Sequence, residues 1–352
     1  MNKVTPIIGF VLLSIMVLLL FGFASYKAWT LQPAVGVVMT FILLGLLFEI
    51  MSESKEVRKV KSDLRSGATK RYISYLRESK ELRKVQLDIL TRKNLFLFIS
   101  VFVGTFANYA LRVNTGLDTV VATGLVMIIA AIILPDYGVP ISCGAFVGMA
   151  SPALLNHGQM AIAAAVAGGV YVLTVGVFDG FGGKLGTIAF TGCVITGLCL
   201  GSEFAHLPVP GWDVGWLIVV YSIIAAVVSF WINIYLKRGA VMAPGIVGLA
   251  GGLILPAIHP DIGGMLASMV ICAALSGMSS AKRFPHIMPL AIVGLVAGLV
   301  FVYSMPLLGG AGGKFGTIAF GSVTAVRGYL DLVEKLRATK RDSSPEICSG
   351  SE

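Results

Sequence analysis

Apolar residues occur along this chain in long uninterrupted runs rather than in short alternating patterns. A helix rises about 1.5 Å per residue, so about 20 apolar residues cross about 30 Å of hydrocarbon. The pattern predicts twelve helical spans. They cover residues 5–26, 31–51, 94–113, 118–134, 139–155, 158–178, 184–202, 214–236, 241–257, 263–280, 287–305 and 314–330. The segment 139–155 is short and closes at Ser151-Pro152, so a broken or re-entrant helix is the alternative there.

Residues 52–93 form the one substantial polar segment between spans. Val57, Val60 and Leu64 recur at helical spacing, and Ser66-Gly67 interrupts the pattern, which predicts an amphipathic helical hairpin. The segment holds 13 of the 27 basic residues against six acidic ones, and so supplies +7 of the net charge of +9. Beside a span, such charge favours contact with anionic lipid on the cytoplasmic side. Formation of a homo-oligomer or docking of a soluble partner is the alternative.

Composition agrees with the hydrophobic pattern and narrows the class. Hydrophobic residues make up 56% of the 352 residues and charged residues 13%, whereas a soluble chain carries about 25% charged residues. No aromatic interleaving accompanies the basic charge, so nucleic-acid binding is not expected. The five cysteines and four histidines show no metal-ligand spacing, and no cofactor motif is present. The apolar run after Lys3 lacks a good cleavage site and predicts an uncleaved first span.

Lysine and arginine in short loops predict the orientation of the spans. With residues 52–93 in the cytoplasm, Lys237-Arg238, Lys282-Arg283 and the basic tail after Tyr329 also fall on the cytoplasmic side. Both termini are then cytoplasmic in a plasma membrane, the inner membrane if the source is bacterial. Three basic residues do not follow the rule: Lys27, Arg112 and Lys314.

An internal duplication covers the last two-thirds of the chain. GFGGKLGTIAF (180–190) and GAGGKFGTIAF (310–320) agree at nine of eleven positions, and CGAFVGMAS (143–151) resembles CAALSGMSS (272–280). Further upstream, Asn108 and Asn233 each precede a matching Pro-Asp pair by 27 residues. Chance does not produce this agreement in one chain, so the two halves are structural repeats.

Each repeat contains five predicted spans, and five is odd. If all five cross, the second repeat is inverted with respect to the first, as in many transporters. The predicted fold is therefore an all-α polytopic membrane protein with two N-terminal spans and two five-span repeats of inverted topology. Its predicted segments are an N-terminal hairpin (1–51), the basic hairpin (52–93), repeat 1 (94–204), repeat 2 (205–330) and a cytoplasmic tail (331–352).

The two GGK motifs predict the ligand-binding site. Glycines before a helix leave backbone N–H groups uncovered, and these groups, the helix dipole and a lysine together favour an anion. The predicted ligand set comprises Gly182, Gly183, Lys184, Thr187, Gly312, Gly313, Lys314 and Thr317 with the paired polar residues Ser151, Ser280, Asn108 and Asn233. Two alternatives compete: Lys184 can reach lipid phosphate at a cytoplasmic helix end, and the small residues can serve helix packing. The motif is not a nucleotide-binding P-loop, because Lys-Ser/Thr after a longer glycine loop is missing.

No acidic residue lies at the centre of a repeat span, which weighs against classical proton antiport, although backbone carbonyls and hydroxyls can hold sodium. We therefore expect a transporter or channel for a small, anionic or polar solute. The alternatives are a scaffold that recruits a partner through 52–93 and a membrane enzyme, for which no catalytic dyad is visible; we do not expect an enzyme.

Overall fold

The computed structural model describes residues 5–66 and 92–342. Within them the protein is all helical, apart from an isolated β-bridge between Ala205 and Gly309. The helices are α1 (Thr5–Leu31), α2 (Pro33–Ser66), α3 (Arg92–Thr115), α4 (Thr119–Ile133), α5 (Gly138–Val147), α6 (His157–Leu173), α7 (Lys184–Cys199), α8 (Trp212–Phe230, continued by a π-helical turn Trp231–Tyr235), α9 (Met242–Ile258), α10 (Gly263–Ser276), α11 (Met288–Ser304) and α12 (Lys314–Asp342). Each predicted span contains one helix, in the predicted order.

Four of the described helices are long and apolar enough to cross a membrane. These segments are Pro6–Leu31, Pro33–Lys55, Arg92–Thr115 and Trp212–Tyr235. On α1, Leu13, Val17 and Leu20 are fully buried while Ile8 and Ile15 on the other face are 44% and 49% exposed. A helix that is apolar on both faces fits lipid on its outer side. The structure thus supports a helical membrane protein.

Two helices extend beyond the predicted spans. α2 continues from the apolar run through Ser66 and so includes the first part of the segment predicted as a separate hairpin. α12 continues to Asp342, into the segment predicted as a tail. Neither stretch contains a glycine or proline that would end the helix where its apolar part ends. The second arm of the predicted hairpin (67–91) and the end of the tail (343–352) lie outside the described residues.

Helix α5 is short, as the ambiguous segment 139–155 suggested. It has ten residues, about 15 Å of helix, which is half the thickness of the hydrocarbon core. Its counterpart α10 has 14 residues, about 21 Å. Both helices are almost entirely buried among other helices rather than facing outward.

Helices that correspond in the two repeats pack against each other in opposite directions. A methyl group added to Gly124 of α4 would lie 2.9 Å from the carbonyl oxygen of Gly245, and Gly252, later in α9, faces Val121, earlier in α4. α4 and α9 therefore run antiparallel. The same holds for α7 and α12, described below. α1 and α2 form a hairpin beside the repeats, with α2 along α12 and α1 against α11.

Candidate functional site

The two motif helices, α7 and α12, cross at their first turns. A methyl group on Gly186 would lie 2.4 Å from the Cα of Gly316, and a methyl group on Gly316 would lie 2.4 Å from the Cα of Gly186. Only glycine at both positions permits this approach, because a Cβ atom does not tolerate a carbon at that distance. The crossing of α7 and α12 is thus fixed by one glycine from each motif.

The glycine before each lysine turns the chain into the helix. Gly183 and Gly313 have φ of 81° and 82°, a left-handed conformation that favours glycine. A methyl group on Gly183 would meet the backbone nitrogen of Phe320 at 2.4 Å, and one on Gly313 would meet that of Phe190 at 2.5 Å. Each helix start therefore lies beside the second turn of the other helix, which makes the contact reciprocal and the helices antiparallel.

Each motif also meets the end of a short helix from the other repeat. A methyl group on Gly182 would lie 2.5 Å from the carbonyl oxygen of Ser276 at the end of α10, and one on Gly312 would lie 2.4 Å from that of Phe146 near the end of α5. The positive start of one helix thus faces the negative end of another. The Gly182 N–H donates to the Ser279 hydroxyl at 3.1 Å. These contacts occupy some of the backbone N–H groups that the sequence analysis predicted to bind an anion.

The predicted serines join the repeats through their backbones. The Ser151 N–H donates to the Gly310 carbonyl at 2.8 Å, and the Ser280 N–H donates to the Gly180 carbonyl at 3.0 Å. Equivalent residues thus make equivalent hydrogen bonds across the crossing. Their alignment in the sequence corresponds to a real spatial relationship between the loops.

The two motif lysines have different environments. The Lys184 ammonium lies 3.3 Å from a carboxylate oxygen of Asp179, whose side chain is 71% exposed. Lys314, only 7% exposed, donates instead to the carbonyls of Ser304, Met305 and Leu307 at 2.7, 3.2 and 2.6 Å. Its three protons cap the end of α11, the role that helix C-terminal cations commonly play. Lys184 is the motif lysine whose charge borders open space.

The two motif threonines are fully buried in the packing of the crossing. The Thr187 hydroxyl has no hydrogen-bond partner among the described residues, whereas the Thr317 hydroxyl donates to the Gly313 carbonyl at 3.4 Å. Neither hydroxyl lines either of the two cavities described below.

The paired asparagines do not make equivalent contacts. Asn108 donates to the Thr123 hydroxyl at 2.9 Å and to the Ala145 carbonyl at 2.5 Å, within α5. Asn233 lies in the π-helical turn and donates to the Gly277 carbonyl at 2.8 Å, beyond the end of α10. In repeat 1 it is Arg112 that reaches the corresponding position, donating to the Gly148 carbonyl at 2.7 Å. Arg112, an exception to the charge rule, therefore caps a short helix.

Two cavities border the loops that precede the motifs. One, of about 260 Å³, is lined by Tyr171, Thr174, Asp179, Gly183 and Lys184 among others. The other, of about 430 Å³, is lined by Phe23, Lys27, Phe204, His206, Leu307 and Leu308 among others. Because α7 and α12 are antiparallel and overlap only at their starts, the two loops lie at opposite ends of the crossing. We call these spaces the Lys184 cavity and the His206 cavity.

A charged network beside the Lys184 cavity was missed by the sequence reasoning. Arg283 forms an ion pair with Glu53 at 2.7 Å, and its own carbonyl accepts from Arg327 at 2.8 Å. Arg327 pairs with Asp331, which lies against the buried carboxyl of Glu49. Glu49 gave a signal that could have been used, since it interrupts the apolar run 31–51. Its partners, distant in sequence, gave none.

The described residues include no group of three or more His, Cys, Asp or Glu side chains arranged to hold a metal ion. The polar chemistry of the crossing consists of backbone groups, hydroxyls, one lysine–aspartate pair and the arginine network. No protein-family model, curated protein or solved structure matches this chain.

Proposed function

We propose that this protein is a membrane transporter built from two inverted repeats and that it moves a small anionic solute. One observation carries the proposal. The loops that precede Lys184 and Lys314 occupy equivalent places in the two repeats, and they border separate cavities at opposite ends of the closely packed crossing of α7 and α12. Transporters with inverted repeats bind their solute where discontinuous helices meet and expose it to each side in turn.

The inverted arrangement is supported by directions within the helix packing. α4 runs antiparallel to α9, and α7 runs antiparallel to α12, although each pair occupies corresponding places in the duplicated sequence. The matched distances at Gly186 and Gly316 are consistent with a two-fold axis between these glycines that would relate the two pairs. If that axis lies in the membrane plane, the first motif faces the cytoplasm and the second the opposite side, as the charge rule predicts.

A carrier fits the geometry better than an open channel does. At the crossing, Ile188, Ala189, Ile318 and Ala319 are at most 1% exposed, and the backbones of Gly186 and Gly316 approach closely. Close packing of this kind leaves no room for water between these residues. Passage of a solute therefore requires one repeat to move against the other.

The Lys184 cavity favours a small anion. Its volume of about 260 Å³ is below the usual range for drug-sized ligands. Among the described residues, the one side chain that forms a hydrogen bond with the Lys184 ammonium is the exposed carboxylate of Asp179, so an incoming anion can compete for the ammonium. Tyr171 and Thr174 also line this cavity, but the Thr174 hydroxyl already donates to the Val170 and Tyr171 carbonyls, at 2.9 and 3.1 Å. Lys314, by contrast, has no free proton to offer.

Reconstitution into liposomes tests the proposal. Light scattering would follow the swelling of proteoliposomes in potassium chloride, potassium acetate or potassium phosphate, with valinomycin present to let potassium follow the anion. A parallel measurement would use the neutral solute erythritol. We expect anion uptake above that of empty liposomes and little erythritol uptake. In Lys184→Gln uptake should fall about tenfold or more, because a charge-assisted hydrogen bond contributes about 1.5–3 kcal/mol. Lys282→Gln, a change at an exposed lysine on the same side, should leave uptake unchanged.

Two results would contradict this function. Wild-type protein that moves none of the solutes would exclude transport of this class and favour the scaffold alternative. Equal uptake by wild type and Lys184→Gln would exclude Lys184 as an anion contact.

A further inference from the structure

Glu49 on α2 has an environment unlike that of any other acid among the described residues. Its side chain is fully buried, and neither carboxyl oxygen accepts a hydrogen bond from a described donor. The side chain that faces it is the carboxyl of Asp331 on α12. The helices approach closely here because Gly45 and Gly328 pack together: a methyl group on Gly328 would lie 2.2 Å from the Gly45 carbonyl oxygen and 3.1 Å from the Glu49 Cβ.

A fully buried Glu49 carboxylate beside the carboxylate of Asp331, which is 18% exposed, is unfavourable when both carry a full negative charge. An ionised carboxylate without a hydrogen-bond donor is costly in a low-dielectric interior, and a second negative charge beside it adds repulsion. Asp331 is paired with Arg327, so its negative charge is compensated. Among the described residues, Glu49 forms no ion pair and accepts no hydrogen bond. A proton between the two carboxyl groups removes the repulsion and supplies the missing donor.

The charged groups around Glu49 come from three elements. α2 contributes Glu53, α12 contributes Arg327, Asp331, Glu334 and Lys335, and the α10–α11 loop contributes Arg283. On α1, which also packs on α2, Lys27 is the one charged residue among those described, and it lines the His206 cavity. The charge of Arg283 favours an ionised Glu49, but Arg283 is already paired with Glu53. The other nearby cations among the described residues, Arg327 and Lys335, also have acidic, hydroxyl or carbonyl partners.

We propose that Glu49 and Asp331 share one proton and form a proton-binding site that is coupled to the Lys184 cavity through Arg283. The coupling part rests on the proposed transport function. Binding forms an O–H bond on Glu49 and a hydrogen bond to Asp331; release breaks that O–H bond and passes the proton to water. No oxidant or reductant takes part.

Arg283 links the surroundings of the carboxyl pair with the loop of the Lys184 cavity. On one side it pairs with Glu53, one turn along α2 from Glu49, and its carbonyl accepts from Arg327. Its Nε donates to the backbone carbonyl of Asp179 at 3.1 Å, and its guanidinium lies 4.2 Å from the ring centre of Phe181. Asp179 holds Lys184. Loss of the proton leaves a carboxylate on Glu49 that attracts Arg283 away from these partners. The loop that carries Asp179 is then released, and with it the side chain that competes for Lys184.

The corresponding position in the other repeat carries no charge. In the alignment Leu154 takes the place of Arg283, and Gly310 packs against Leu154 as Gly180 packs against Arg283. The His206 cavity therefore has no equivalent link. The proton site acts on one side of the crossing, which gives the two otherwise similar halves different behaviour.

Infrared difference spectroscopy on the full-length protein in liposomes tests the site. Raising the pH should remove a carboxylic-acid C=O band that is present in wild type and absent in Glu49→Gln. Glutamine preserves the shape of the side chain and can donate its N–H to Asp331, so the variant should fold. Glu334→Gln removes an acid that contacts the same Arg327 but is 64% exposed, and it should retain the band. A band that is missing in wild type, or unchanged in Glu49→Gln, would overturn the proton site.

Anion uptake under a pH gradient tests the coupling. Uptake of chloride or phosphate is measured in buffers without acetate. An imposed pH gradient should change the initial uptake rate about fivefold or more in wild type and in Glu334→Gln. The same gradient should have no effect on the rate in Glu49→Gln. A wild-type uptake rate that does not change with the pH gradient would overturn the coupling. If the band behaves as expected but wild type takes up no solute, the proton site stands and the transport function fails.

Discussion

Replacing Gly186 by alanine tests the crossing on which the proposed architecture depends. The new methyl group would lie 2.4 Å from the Gly316 Cα and 3.0 Å from the Gly313 carbonyl oxygen. Carbon atoms in good packing are separated by about 3.5–4.0 Å, so α7 and α12 must separate by about 1 Å or more. Overpacking of a core by one methyl group costs about 1–3 kcal/mol. We expect the apparent Tm to fall by about 2–6 °C.

Gly169→Ala provides the matched control. Gly169 lies inside α6, and a methyl group there meets nothing within 4 Å. Because alanine is a better helix former than glycine by about 0.8–1.0 kcal/mol, this change should leave the Tm unchanged or raise it slightly. The assay heats each detergent-solubilised variant, fused to a fluorescent protein, and measures the monodisperse fraction by size-exclusion chromatography.

The reciprocal change makes the test specific for a two-fold relationship. Gly316→Ala places its methyl group 2.4 Å from the Gly186 Cα, so it should cost as much as Gly186→Ala. Once one methyl group has separated the helices, the second has less to displace, and the double variant should cost less than the sum of the two. Equal Tm values for Gly186→Ala and Gly169→Ala would refute the crossing. Strict additivity would refute the direct contact between the two glycines.

Three further predictions follow from individual contacts. In a protein whose other cysteines have been replaced, Asp179→Cys and His206→Cys should react with a membrane-impermeant maleimide from opposite sides; labelling from one side would exclude the inverted arrangement. Lys314→Met should lower the free energy of unfolding by about 3 kcal/mol or more, because it removes three charge-assisted hydrogen bonds. Lys184→Met is the control, since it removes one contact to an exposed carboxylate. Equal stability of the two variants would contradict the role of Lys314 as a helix cap. Asn156→Ala should cost about 1 kcal/mol in the same thermal assay by removing the capping box at the start of α6, and an unchanged Tm would contradict a stabilising role for this cap.

The helices could be predicted from the sequence because length and apolar content decide them locally. Every span contained a helix, and the short segment 139–155 was singled out by its Ser151-Pro152 ending before α5 proved to have ten residues. The end of α2 was less predictable. The polar residues after Met51 are good helix formers, so the change from lipid to water alters the composition of α2 without ending the helix.

The chemistry of the site was harder to predict from the sequence, because the two nearly identical motifs lie beside different loops. Both lysines follow GG and precede a buried helix, yet one loop offers Asp179 and the other offers the unpaired carbonyls at the end of α11. Position 309, which aligns with Asp179, is a glycine, so Lys314 has no acidic partner there and turns to the backbone. The asparagine pair shows the same effect: the π-helical turn shifts Asn233 toward the carbonyls that Arg112 reaches in the first repeat.

These differences between the repeats have a functional consequence if the proposed transport occurs. A protein with two-fold symmetry in every contact would have equal energies facing either side, and nothing would tie its direction to an energy source. Here the crossing itself is symmetric to within a few tenths of an ångström, as the matched glycine distances show. The charged residues do not share this symmetry, because Arg283, Glu49 and Asp331 belong to the network beside the Lys184 cavity. In the proposed mechanism the shared glycines set the pivot, and the charged residues outside the duplicated motif determine which end of it responds to protons.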